Sequence, residues 1–248
     1  MKVFEMIKNT KSRGRHSLRN AWLHLEKAWK IRNVDPGMAM FRGFTAEEEA
    51  ATGLIYALRD IGYTDANRLN PYNHPHKHSI YAFFEILSDW FAESVQPLGL
   101  DVHLRLGSKD DPDRLKLRFK IEIDGKEFFA TPEPPLNWNV SVDGKPISFQ
   151  QQVKKLTSVR NAKHIDKYLQ TTANERNQVL YAAPQGCPHV ESVSDEFFPH
   201  QKNKVMTMAY AYLLIEPYKE KQPFVQQALD ALLKMLGRTE AMHLHDEI

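Results

Sequence analysis

A change of hydrophobic period in the middle of the chain limits the fold more than any other feature. Before residue 98 and after residue 148, apolar residues recur at steps of three and four, which is typical of amphipathic helices. Between these points, runs such as LKLRFKIEI alternate apolar and polar residues, which indicates strands. The chain is therefore predicted to be α+β and predominantly helical. We expect an N-terminal helical bundle (1–97), an antiparallel sheet (98–148) and a C-terminal helical region (149–248) that packs on the same core.

Two Asp-Gly pairs in the middle segment predict tight hairpins. They lie in IEIDGKEFF and VSVDGKPIS, each between alternating runs. Asp-Gly is favoured there because both central positions of such a turn need a positive φ. We expect both pairs at the hairpin tips of one antiparallel sheet of four or five strands. One face of this sheet would carry Leu115, Leu117, Phe119, Ile121 and Ile123.

Three helices are predicted ahead of the sheet. The first begins near Ser17 and is broken by NVDPG (33–37), because proline cannot continue the helical hydrogen bonds. The second follows this break, and the third is SIYAFFEILSDWFAESV (79–95). The clearest C-terminal helix begins near Pro223 and is expected to stop at Gly237. The first helix carries one apolar stripe, formed by Leu18, Ala21, Trp22, Leu25, Ala28 and Trp29.

The composition is that of an ordinary globular protein. The 248 residues are 42% hydrophobic and 26% charged. The single cysteine, Cys187, excludes an intramolecular disulfide framework and is compatible with a reducing compartment. The longest apolar stretches, such as AYAYLLI, are too short to cross a bilayer, and the first residues do not form a secretory signal. We therefore expect a cytoplasmic protein that makes no use of a membrane.

Positive charge is concentrated at the N-terminal end. Residues 1–42 contain ten Lys and Arg against three acidic residues, a balance of +7 in a protein whose net charge is +2. Such a segment can bind a phosphate backbone, or it can simply solvate the start of a helix. If it binds nucleic acid, the candidate contacts are Lys11, Arg13, Arg15 and Arg19.

One short stretch, RLNPYNHPHKHSIYAF, holds one arginine and three histidines. A histidine with a pKa near ~6.5 can deprotonate a ribose 2′-hydroxyl or protonate a leaving 5′-oxygen, and an arginine can stabilise charge on the phosphate. Arg68 and His74 are therefore predicted to share a pocket. If Pro75 lies in the first turn of the third helix, free N–H groups there would bind an anion. Lys77 and His78 are predicted to add nucleic-acid contacts.

These features together resemble a HEPN domain, and in particular the AbiV-type abortive-infection proteins. The resemblance covers about residues 17–95 and consists of two antiparallel helices, the segment TAEEEAATGLIYALRD, and an arginine several residues before a histidine at a helix start. It implies a metal-independent ribonuclease, without a cofactor, whose site forms across a homodimer in a defence or toxin-like role. By this resemblance Arg68 would hold the phosphate and His74 would act as acid or base. One of three acidic residues would orient them: Glu47, Glu48 or Glu49, of which we select Glu48.

The histidines could also simply solvate a polar loop or cap a helix, and a metal site is a further interpretation. In an extended chain His74, His76 and His78 could converge on a zinc ion, which would indicate a metal-dependent hydrolase. On a helix only His74 and His78 could pair, and Pro75 argues against one helix that holds both. The segment RNAKH (160–164) repeats the arginine-to-histidine spacing with one residue fewer and is a backup candidate.

A protein without catalytic activity is the competing class. In that case the edge of the sheet or the basic N-terminal segment would bind a protein partner. A nuclease requires Arg68 and His74 in an open groove, whereas an interaction module would instead expose an apolar patch.

Overall fold

A computed structural model places two helical segments around short antiparallel strands, which confirms the α+β, predominantly helical class. It describes residues 2–94, 101–107, 114–137, 140–142, 145–147, 156–181, 186 and 190–246. The elements in this part are α1 Lys2–Asn9, α2 Gly14–Ile31, α3 Pro36–Ile61, α4 His74–Ser94, β1 Asp101–Leu106, β2 Leu115–Ile123, β3 Lys126–Ala130, β4 Val140–Val142, β5 Lys145–Ile147, α5 Val159–Leu180, α6 Phe197–Ile215 and α7 Pro223–Asp246.

Helices α2 and α3 form an antiparallel pair. Asp35 starts α3, because its side chain accepts the backbone N–H of Met38 (2.9 Å). Pro36 follows at the first helical position. An N–H group there has no acceptor within the helix, so proline, which lacks this group, loses no hydrogen bond. The two backbones touch where Gly14 of α2 meets Gly53 of α3, and a Cβ atom on Gly14 would collide with the carbonyl group of Gly53. Glycine therefore allows this close approach.

Helix α3 lies at the centre of the fold. It packs against α2, α4, α5 and α6. One cluster of buried apolar side chains draws on both helical segments and on β2, so the N-terminal and C-terminal helices share a core. Within this apolar surrounding, α3 also buries two adjacent acidic residues, Glu47 and Glu48. Burial of a carboxylate is unfavourable unless the charge is paired, so these two residues mark the place where polar groups enter the core.

The predicted stripe of α2 is only partly buried. Leu18, Ala21 and Ala28 are fully buried, whereas Trp22 is half-buried and the side chain of Trp29 is 53% exposed. A helical projection explains the difference, because both tryptophans lie along one edge of the stripe and not at its centre.

The first Asp-Gly pair forms the predicted hairpin. Strands β1, β2 and β3 make an antiparallel sheet in that order. Asp124 (φ 52°) and Gly125 (φ 70°) connect β2 to β3, and both have the positive φ that this turn requires. Leu115 and Leu117 of β2 are buried against the helices, as predicted for this face.

The prediction of one sheet with four or five strands was wrong. In the described part of the chain β4 pairs only with β5, which gives a separate two-stranded sheet. The proline-rich segment TPEPPLN lies between β3 and β4, and proline lacks the N–H that would extend the ladder. The second Asp-Gly pair, residues 143 and 144, lies outside the described residues, as does Cys187.

One additional helix and two helix boundaries differ from the prediction. The N-terminal residues form an additional short helix, α1. Helix α4 begins at His74 and not at residue 79, because proline is tolerated in a first turn, where N–H groups have no helical partner. Helix α7 continues past Gly237, which lies in the helix without the positive φ of a C-terminal stop. Among the described residues no helix is long and apolar enough to cross a membrane.

Candidate functional site

The loop between α3 and α4 is fixed by one arginine at the end of α3. The guanidinium group of Arg59 donates hydrogen bonds to the backbone carbonyls of Ala66 (3.3 Å), Asn67 (2.9 Å) and Leu69 (2.6 Å). The side chain of Leu69 is fully buried and anchors the same loop in the core. The loop therefore delivers the start of α4 to a defined position beside α3.

The start of α4 is capped by its own neighbours. The side-chain oxygen of Asn73 accepts the backbone N–H of His76 (3.0 Å), and the backbone carbonyl of Asn73 accepts the backbone N–H of Lys77 (3.2 Å). The backbone N–H of Asn70 donates to Nδ1 of His76 (2.9 Å). The backbone N–H groups of His76 and Lys77 are therefore already bonded. The prediction that they are free to bind an anion was wrong.

His74 and Glu48 form a direct pair at the surface. Nδ1 of His74 lies 2.7 Å from Oε1 of Glu48. The His74 side chain is 46% exposed, whereas that of Glu48 is 9% exposed. A carboxylate that accepts the Nδ1–H fixes the tautomer and leaves Nε2 with a lone pair that can accept a proton. The pair therefore has the arrangement of a general base with an orienting carboxylate.

Glu48 is held in turn by two buried cations on the next turn of α4. Its Oε2 accepts from Nζ of Lys77 (2.7 Å), and its Oε1 accepts from Nε2 of His78 (3.1 Å). Both side chains are nearly inaccessible to solvent. Although burial opposes the charge, the hydrogen bonds from His78 and Lys77 keep the pKa of Glu48 well below its usual range. Glu48 is therefore a permanent acceptor for His74.

A second, fully buried layer lies behind this pair. Oε1 of Glu47 accepts from Nδ1 of His78 (2.9 Å) and from the Tyr168 hydroxyl (2.8 Å), and its Oε2 accepts from Nζ of Lys204 (2.9 Å). Nζ of Lys204 also donates to the Tyr168 hydroxyl (2.6 Å). His78 thus bridges Glu47 and Glu48 and joins the two layers into one hydrogen-bonded network.

His78 carries a proton in this network. Burial would lower its pKa, but hydrogen bonds to Glu47 and Glu48 outweigh burial and raise the pKa of His78 to about 9. For Glu47, burial likewise opposes the charge, and its bonds to His78 and Lys204 lower its pKa to about 2. Three cations, Lys77, His78 and Lys204, therefore pair with the two carboxylates behind His74.

The predicted site residues are only partly brought together. His74 and Glu48 are in contact. Arg68 is exposed in the short 3₁₀ turn Ala66–Arg68, and among the described residues it forms no hydrogen bond or ion pair with either of them. Lys77 and His78 were predicted to contact nucleic acid. In the structure both side chains are instead buried and bonded to the glutamates.

The three histidines do not converge on one point. His74 and His78 lie one turn apart on α4 and both reach Glu48, so the objection that Pro75 prevents one helix from holding both was wrong. His76 lies on another side, where Nε2 is 3.5 Å from Glu240 of α7. In the described part of the chain no group of three or more His, Cys, Asp or Glu side chains could hold a metal ion.

The N-terminal cations have partners of their own. The guanidinium group of Arg13 lies 3.4 Å from Asp60 and 4.2 Å above the ring of Tyr56. Arg15 donates to the backbone carbonyl of Thr10 (2.7 Å). Lys11 and Arg19 are exposed. In the backup segment, His164 bonds to Glu85 (3.1 Å).

Comparisons with known proteins do not assign this site. No family model, no curated protein and no solved structure matches the chain.

The buried network predicts a maximum of folding stability between pH 4.5 and 6.5. The pKa of His78 is raised from 6.5 to about 9 on folding, so the stability that it contributes is complete below pH 6.5 and is lost as the pH rises toward 9. The pKa of Glu47 is lowered from 4.5 to about 2, so its contribution is complete above pH 4.5 and is lost as the pH falls toward 2. Urea unfolding midpoints measured from pH 2 to 10 test both limbs.

His78→Gln should flatten the alkaline limb of this profile, because Gln has no proton to lose. His103→Gln is the matched control, since His103 is exposed on β1, and it should leave the profile unchanged. An alkaline limb that is equally steep in wild type and His78→Gln would contradict the assignment.

Proposed function

We propose that this protein is a metal-independent endoribonuclease in which His74 is the catalytic acid or base and Glu48 orients it. The observation that carries the proposal is the exposed His74 at the start of α4, whose Nδ1 lies 2.7 Å from the buried carboxylate of Glu48. Lys77 and His78 also donate to Glu48 and so hold this carboxylate in place for its orienting role. Cleavage of a labelled single-stranded RNA by the purified protein tests the proposal.

The chemistry follows from the orientation of the imidazole. Nε2 of His74 accepts the proton of a ribose 2′-hydroxyl while Nδ1–H remains bonded to Glu48, which stabilises the imidazolium that forms. The 2′-oxygen then bonds to phosphorus, the bond from phosphorus to the 5′-oxygen breaks, and a 2′,3′-cyclic phosphate remains. The departing 5′-oxygen requires a proton from a second group. A homodimer that brings two copies of His74 into one groove would supply both base and acid.

Two groups of cations are proposed to hold the RNA. Arg68 is exposed in the turn that precedes α4 and is available to a phosphate close to His74. The N-terminal segment supplies the second group, which includes the exposed Lys11 and Arg19. Such contacts are independent of base sequence and weaken as salt is added.

Replacing Lys11, Arg13 and Arg15 by Ala should weaken RNA binding and reduce its salt dependence. Each lost contact to a single-stranded phosphate should lower the slope of log K against log salt by roughly 0.7. Fluorescence anisotropy from 50 to 300 mM salt measures the slope. Lys163→Ala with Lys167→Ala, both exposed on α5, is the control, and an unchanged slope in the N-terminal variant would show that those charges are only solvated.

A protein-interaction module is the second candidate, and the exposed part of the sheet favours it. All five residues of β3 are exposed, and Phe128 and Phe129 are 49% and 46% accessible. Leu104 of β1 is similarly exposed at 48%. Apolar side chains of this kind on a strand are a common surface for a protein partner. Under this alternative, Phe128→Asp would abolish partner binding and His74→Ala would have no effect.

A further inference from the structure

We propose that the outer edge of α2 is a track for single-stranded RNA, in which bases stack on Trp22 and Trp29 and phosphates meet the flanking cations. This inference rests on the proposed ribonuclease function, because it names the form of RNA that the protein holds. The track lies on a helix that contributes no residue to the pair of His74 and Glu48.

The residues of the track follow one helical edge. Arg15, Arg19, Trp22, Glu26 and Trp29 are separated by steps of four, three, four and three, so their side chains leave α2 on the same side. At 1.5 Å per residue, the two tryptophans lie roughly 10 Å apart along the helix axis, and the whole edge is about 20 Å long. A single strand of several nucleotides could therefore contact all of it.

Aromatic rings border grooves on both sides of Trp22. Its ring packs against that of Phe4 from α1, with centroids 4.6 Å apart and planes tilted by 35°. On one side a groove of about 490 Å³ between α1 and α2 is bordered by Phe4, Trp22, Lys8, Arg15 and Arg19. On the other side a depression of about 220 Å³ separates Trp22 from Trp29 and is closed by Phe198. An apolar floor with a cationic rim suits a base and its phosphate.

Trp29 is more exposed than a core residue. It is 53% exposed, and its ring lies nearly perpendicular to that of Phe198, at a centroid distance of 5.5 Å and an angle of 87°. The guanidinium group of Arg32 lies 3.7 Å from the centre of the ring. Arginine and tryptophan together provide both a phosphate partner and a stacking face.

Cations outnumber acidic residues along the track. Lys8, Arg15, Arg19, Arg32 and Lys202 line its grooves, against Glu5, Glu26, Glu191 and Asp195. Glu5 pairs with Lys8 (3.8 Å), and Glu26 accepts from Nε1 of Trp22 (2.8 Å) and keeps its charge. The cations Arg19 and Lys202 remain at the rim. Bases in a duplex already stack on one another, so exposed aromatic faces favour single strands.

Trp29→Ala should weaken the binding of single-stranded RNA about 5- to 100-fold, which corresponds to the loss of one stacked base. The probe is a fluorescent 12-nucleotide 2′-O-methyl RNA, which the full-length protein can bind but cannot cleave through a 2′-hydroxyl. Trp29→Tyr should keep most of the affinity, because it retains an aromatic face. Val34→Ala is the control, since Val34 is 85% exposed just beyond α2 and should bind like wild type.

The outcomes separate this inference from the proposed function. An unchanged dissociation constant in both Trp22→Ala and Trp29→Ala would overturn the track, even if His74-dependent cleavage persists. A protein partner that requires Trp29 while RNA does not would also overturn it. Equal weakening by Trp29→Ala of an RNA duplex and of the single strand would argue against stacking. Absence of RNA cleavage by the wild type would instead remove the proposed function.

Discussion

Replacing His74 by Ala should lower the rate of RNA cleavage about 10²- to 10⁴-fold, because the reaction loses its general acid or base. The fold should remain intact, since the side chain is 46% exposed and Glu48 keeps Lys77 and His78 as partners. Initial rates on a labelled single-stranded RNA measure the loss. Far-UV circular dichroism and a urea midpoint close to that of wild type establish that the variant is folded.

The chain offers a matched control for this experiment. His164 is also about half exposed and bonded to a glutamate of another helix, at 3.1 Å from Glu85. His164→Ala should cleave RNA at the wild-type rate; if that variant loses activity and His74→Ala does not, the backup segment carries the site. EDTA should not affect cleavage, whereas inhibition that zinc reverses would favour a histidine metal site. An active His74→Ala protein would remove the nuclease proposal and leave the interaction module.

Glu48→Gln should separate orientation from acid–base chemistry. A neutral amide can still hold His74, but it cannot stabilise the imidazolium that forms during the reaction. The rate should therefore fall while the dissociation constant for RNA changes little. This combination is expected of a positioning residue and not of a phosphate contact. Both quantities are measured on protein that circular dichroism shows to be folded, because the substitution also removes the carboxylate to which the buried Lys77 donates.

Local patterns predicted those elements that depend on local physics. Helices α2, α3 and α4 and the Asp124–Gly125 hairpin follow from periodicity and turn chemistry, and the structure contains them. Two local rules failed where context decided. Pro75 lies within a first turn that tolerates it, and Gly237 lies inside a helix that packing continues. In both cases the residue allows a break but does not impose one.

The site was harder to predict from the sequence than the helices were, because its contacts join distant parts of the chain. Glu47 meets Tyr168 and Lys204, which are 121 and 157 residues away in sequence. No spacing rule pairs such residues. The available signal was the acidic run in the alanine-rich centre of α3, since buried carboxylates require partners. The same argument explains why Lys77 and His78 lie inside, although a histidine- and lysine-rich stretch suggested a solvated surface.

Replacing Glu47 by Gln should lower the free energy of unfolding by about 3 to 5 kcal/mol, which is a large part of the stability of a typical domain. The substitution keeps the shape but removes the carboxylate to which the buried Lys204 donates, and it leaves His78 with Glu48 as its carboxylate partner. Urea unfolding at pH 6 measures the loss. Glu49→Gln is the control, because Glu49 lies two residues further along the same helix and is more accessible; it should change stability by less than about 0.5 kcal/mol.

A double-mutant cycle shows whether charge pairing is the cause of that loss. Lys204→Met alone should also be strongly destabilising, because it removes one of the two cations that neutralise Glu47. The double variant removes both charges of the Glu47–Lys204 pair, so neither is left buried without the other. It should therefore be more stable than the sum of the single effects predicts, by about 1 to 3 kcal/mol. Additive effects would contradict the pairing and indicate that each side chain only fills space. Because the same network holds Glu48 against His74, a single variant that stays folded should also cleave RNA more slowly.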